Sequence, residues 1–135
     1  MKKALTLLSL IILFSCKDNS GDDMITTASG LQYKTLKEGT GDKAKSGDEV
    51  FIYETMSYRN DSLLFDSRTL PTPVKVLIGG NQAIKGVDEG LRGMQQGEIR
   101  KMIVPPALSK RSGNPTFPHP DSVLVYEVEL IEIVK

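Results

Sequence analysis

The stretch Ile78–Pro106, IGGNQAIKGVDEGLRGMQQGEIRKMIVPP, limits what this chain can fold into more than any other part of it. Ile84, Val87, Leu91 and Met94 recur at helical spacing and share one face of a short helix. Asn81 is suited to be its N-cap and Gly97 to be its stop. Gly86, Gly90 and Gly93 recur at the same spacing, and each costs an isolated helix about 1 kcal/mol relative to alanine. Such a helix holds only when packed, and the glycine stripe suits the close approach of another backbone. From Glu98 to Val104 the pattern alternates as in a strand, and Pro105-Pro106 ends it.

Most of the remaining chain reads as strand. Leu31 to Lys37 is a first strand ended by Gly39 and Gly41, and Glu49 to Arg59 is rich in β-branched and aromatic residues. Asn60-Asp61-Ser62 forms a turn, and Leu63 to Asp66 returns along the preceding strand. Val74 to Ile78 follows the interrupting Pro71 and Pro73, and VLVYEVELIEI near the C-terminus has the alternation of a half-buried strand. Several antiparallel strands with one short helix predict an α+β domain whose helix covers one face of the sheet.

In sequence order come the Phe65-Asp66 pair, Gly79 with Ile84 and Gly86, the run Asp88-Glu89-Gly90-Leu91, Met94 with Gly97, and a strand ending in proline. Together these resemble the FKBP-type peptidyl-prolyl cis-trans isomerases over roughly Leu31 to Lys135. The resemblance implies a curved antiparallel β-sheet wrapped around one short α-helix. It also implies an activity, rotation about X-Pro bonds in proline-containing polypeptides. That rotation crosses a barrier of about 18–20 kcal/mol and takes roughly tens to hundreds of seconds unaided. A twisted amide has a less polar carbonyl than a planar one, so an apolar pocket that strips water from the bond favours the twisted state. No cofactor, metal or nucleophile is required.

Carried over by position, the resemblance implies a pocket lined by Tyr53, Phe65, Asp66, Val74, Ala83, Ile84, Val87, Lys110 and Tyr126, with Phe117 above it. Phe65 and Tyr126 would be walls, Val87 the floor, and the Ile84 N–H a donor to a substrate carbonyl. Asp66 and Tyr53 would pair at the rim. By residue type alone the three aromatics are equally suited to a core, and Asp66 to a turn cap. Val87 stands where the family usually has tryptophan, Lys110 where it has tyrosine, and Val74 where it has an aromatic residue. The implied site is wider and binds more weakly. A non-catalytic peptide-binding or chaperone module is the alternative. His119, the single histidine, reads as a loop residue, since a metal site needs more ligands.

Lys2 and Lys3 precede an apolar run, Ala4 to Ser15, of signal-peptide length and too short for an ordinary membrane span. Leu13-Phe14-Ser15-Cys16 resembles the lipobox of bacterial lipoproteins, with Cys16 as the lipidated residue. Cys16 is the one cysteine of the chain, which excludes an intramolecular disulfide. We therefore expect a signal peptide over 1–15, a lipidated cysteine and flexible tether over 16–29, and an FKBP-like domain over 30–135. The expected location is the cell envelope, on its periplasmic or outer face, with the membrane held through acyl chains. With 17 basic and 17 acidic residues, nothing in the charge points to a nucleic-acid partner.

Overall fold

The computed structural model describes residues 23–110 and 119–135. Nine strands and two helices follow in order: β1 (Ile25–Thr26), β2 (Gln32–Lys37), β3 (Thr40–Lys43), β4 (Glu49–Tyr58), β5 (Leu63–Asp66), β6 (Val74–Leu77), α1 (Lys85–Leu91), β7 (Gln95–Gln96), β8 (Ile99–Val104), α2 (Pro106–Ser109) and β9 (Leu124–Val134). A 3-10 turn, Ser67–Thr69, follows β5. The main sheet runs β1-β2-β8-β9-β4-β5, with β6 also on β4, and every pairing is antiparallel. The expected α+β architecture is the one observed. Ile25–Thr26, inside the stretch read as tether, pairs with Gln32 and Tyr33, so ordered structure begins ahead of residue 30. Cys16 and Phe117 lie outside the described residues.

Strand parity decides where the core sits. Val50, Ile52 and Met56 of β4, Met102 and Val104 of β8, and the even positions from Leu124 to Leu130 of β9 are buried, while their neighbours are less so. Against that face lies α1, burying Val87 and Leu91 as its apolar spacing requires. A Cβ on Gly86 would fall 2.5 Å from Val104 Cγ1, and one on Gly90 2.4 Å from Met102 Sδ. The glycine stripe therefore admits two side chains of β8, where approach of a backbone was expected.

The ends of α1 differ from the sequence expectation. Asn81 is not the N-cap; it takes a left-handed φ of 57° inside the turn that follows β6, and the helix begins only after the extended Ile84. That turn uses the backbone elsewhere: Leu77 N–H donates to the Gln82 carboxamide oxygen at 2.8 Å, and Gly80 N–H to Leu77 O. At the other end the helix stops at Leu91, and Gly93, with φ 82°, turns the chain well before Gly97. Side-chain periodicity carried Met94 into the same core without its being helical.

The C-terminal carbonyls of α1 are met by a buried cation. Parity points Arg100 of β8 to the core side, where its Nη1 donates to Gly90 O at 3.0 Å and Arg92 O at 3.3 Å. Its Nε donates to Glu98 Oε1 at 2.9 Å, its Nη2 reaches the same oxygen at 2.7 Å, and its guanidinium lies 4.6 Å from the Tyr33 ring centre. Glu98 accepts in addition from Thr35 Oγ1 and Gln95 N–H. At the chain end, a hydrogen bond from Lys135 lowers the Asp42 carboxyl pKa and raises that of the lysine.

Candidate active site

A cavity of about 620 Å³ opens between α1 and the edge of the sheet where β6 leaves β4. Its apolar lining is Val74 and Val76 from β6, Ala83 and Ile84 from the loop before α1, Val87 from the helix, and Tyr126 from β9. Glu54, Asn81, Gln82, Lys85 and Lys110 supply polar groups. Val87 is 2% exposed and Tyr126 1%, so both are held in place by the packing around them. Tyr126 Oη donates to Met56 Sδ at 3.0 Å. Lys110 arrives at the end of α2, a single turn opened by Pro106 and closed by Ser109 Oγ on Pro106 O. Among the described residues no acceptor meets the Ile84 N–H.

Six of the expected pocket residues are thus brought together: Val74, Ala83, Ile84, Val87, Lys110 and Tyr126. Three are not. Tyr53 has the opposite parity to the buried Ile52 and Met56, and its ring lies under the Arg68 guanidinium at 5.2 Å, beside the Arg68–Glu129 ion pair. Glu54 takes the place in the cavity, because adjacent residues of a strand face opposite ways. Asp66, opposite Thr55 on the outer face, makes no pair with Tyr53; it caps the 3-10 turn by accepting from Arg68 N–H at 2.9 Å. The turn-cap alternative is the one realised. Phe65, opposite Met56, packs on the core next to the cavity without lining it.

The loop carrying Ala83 and Ile84 is held by Asp88, part of the run that carries the resemblance but given no role from the sequence. Asp88 Oδ2 accepts from Gly79 N–H at 2.8 Å, and Oδ1 accepts from Arg92 Nη2 at 2.8 Å. Asp88→Ala should cost about 1.5–3 kcal/mol, the range for hydrogen bonds to a charged group. Asp88→Asn, which keeps an acceptor for Gly79, should cost clearly less. Urea titration measures both, and faster amide exchange at Gly79 should accompany the alanine variant. Among the described residues no group of three or more His, Cys, Asp or Glu side chains is placed to hold a metal ion, and no helix is long and apolar enough to cross a membrane.

Residues 41–131 match the model of the FKBP-type peptidyl-prolyl cis-trans isomerase family. The chain belongs to this family. An FK506-binding protein of Neisseria meningitidis serogroup B is 33% identical over 107 residues, which are 77% of this chain and 96% of that protein. The 46 kDa FK506-binding nuclear protein of Spodoptera frugiperda is 35% identical over 104 residues, 76% of this chain but only 25% of that one. The chain spans half or less of the first curated relatives it matches. Among solved structures, FkpA from Escherichia coli superposes with a TM-score of 0.73 at 28% identity, over 85% of this chain and 53% of that chain. The FKBP-type fold thus places the cavity between its helix and sheet.

Proposed function

We propose that this chain is a peptidyl-prolyl cis-trans isomerase that acts on proline-containing segments of exported or envelope proteins, anchored by lipid at Cys16. The cavity, with an apolar wall on one side, carries the reading. It is of the size that takes a small ligand, and its walls of Val74, Val76, Ile84, Val87 and Tyr126 would desolvate an X-Pro bond. The Ile84 N–H is available to a substrate carbonyl, and twisting of the amide needs no further chemical group. Phe65 would then act by packing on the core and Asp66 by capping the turn after β5, rather than by touching substrate.

Val87 in place of a large flat floor, together with the five polar lining residues, favours a second reading as a peptide-binding module without turnover. Isomerisation of a short X-Pro peptide, followed for the wild type and Val87→Trp, separates the two. At the low end of enzyme efficiency, about 10⁴ M⁻¹s⁻¹, about 1 µM protein doubles a thermal rate of roughly 0.01 s⁻¹. Acceleration of at least that size by the wild type is the expected result. Acceleration by Val87→Trp alone would support the binding module, and none by either protein would remove the isomerase reading.

A further inference from the structure

Lys85 and Lys110 line the same cavity from different elements, the first residue of α1 and the residue that ends α2. Both are exposed, and neither makes an ion pair with another described residue. Arg68, Lys75, Arg92, Arg100 and Lys135, by contrast, each pair with a carboxylate. Against the two lysines the cavity lining sets one carboxylate, Glu54, so its charge is net positive.

A second cavity, about 700 Å³, adjoins the first and shares Asn81, Ala83 and Lys85 with it. Its charges balance: Asp88 pairs with Arg92, and Glu89, which accepts from Ser29 Oγ at 2.6 Å, lies four residues after Lys85 on α1. Lys85 lies at the junction of the two cavities.

We propose that Lys85 and Lys110 make this site selective for prolyl segments with an acidic residue next to the proline. The inference rests on the prolyl-site reading above and names the substrate class for it. The two ammonium groups attract a neighbouring carboxylate and repel a neighbouring lysine, and the selectivity is electrostatic, so salt weakens it.

The test uses the purified full chain and capped tetrapeptides carrying Glu, Gln or Lys immediately before or immediately after the proline. Both kcat/KM for isomerisation and Kd by fluorescence polarisation are measured. Glu should lead Lys by roughly five- to tenfold at low salt in at least one position, the scale of two exposed charge pairs acting together. Lys85→Gln and Lys110→Gln should each shrink that ratio, the double variant should bring it close to one, and Lys37→Gln on β2 should leave it unchanged. Raising salt from about 0.01 M to about 1 M, which shortens the screening length from roughly 30 Å to 3 Å, should collapse it without any substitution. A ratio near one in both positions, or one that survives the double variant, overturns the proposal. If no peptide is turned over, the isomerase reading fails by itself, and the Kd ratios still decide the charge selectivity.

Discussion

Arg100→Met is expected to remove about 3–5 kcal/mol of stability, the cost of leaving a buried charge without its partner. The Arg100 and Glu98 side chains are only 9% and 4% exposed, so water cannot replace what is lost. The carbonyls of Gly90 and Arg92 lose their donor in the same step, which exposes the C-terminal end of α1 to fraying. For a domain whose whole stability is about 5–15 kcal/mol, this is a large share. The urea midpoint should fall by roughly 2 M. Removing the carboxylate too, in Glu98→Leu with Arg100→Met, should recover part of the loss, since an apolar pair replaces an isolated charge. Recovery stays incomplete because Thr35 Oγ1 and Gln95 N–H lose their acceptor. Additive single and double effects would mean that the two side chains do not act as a pair.

Gly86→Ala and Gly90→Ala should differ sharply although both add one methyl group to the same helix. Each gains about 1 kcal/mol of helix propensity. At Gly86 the new Cβ meets Val104 at 2.5 Å from Cγ1 and 3.3 Å from Cβ. Val104 is fully buried on β8, between β2 and β9, and a β-branched side chain has no second rotamer to spare. The helix has to rise instead, and overpacking of this kind costs about 1–3 kcal/mol. Ile84 and Val87 ride on the displaced turn, so on the isomerase reading proposed above the X-Pro rate should drop by roughly 100-fold, the scale for a misplacement of about 1 Å. At Gly90 the nearest atoms are Met102 Sδ and Cε, the mobile end of an unbranched chain. That variant should keep its stability to within about 1 kcal/mol, and its activity. Thermal unfolding and the X-Pro rate measure the pair; equal losses would refute the packing account.

Alternation and turn residues located almost every long strand in advance, because one face of each is covered and the pattern of apolar residues records that face. β3, β7 and α2 escaped: TGDK and QQ have no apolar pattern, and PALS is one turn. The limits of α1 were misjudged for another reason. Apolar spacing tells which side chains share a face, whereas Asn81 and Gly93 are set by backbone dihedrals. The cavity was legible wherever the chain approaches it along a helix or loop, at Ala83, Ile84 and Val87. It was not legible along β4, where a shift of one residue exchanges Tyr53 for Glu54. A register shift between Phe51 and Ile52 adds to the difficulty, since it lies in the pairing with β9 and leaves no mark on the sequence. Arg100 and Glu98 were missed because a buried charge looks, in one dimension, like any polar residue of a strand.

The strand furthest along the described residues, β9, lies in the interior of the sheet, between β8 and β4. Until Leu124 to Val134 have paired, β4 has no neighbour along one whole edge and β8 lacks half of its ladder. Neither the core face nor the cavity wall at Tyr126 exists before then. Because the pairing of β9 with β4 joins residues far apart in sequence, the closing contacts of the sheet are non-local, a topology that folds slowly. The sheet closes only when β9 has slotted between two strands that precede it in the chain.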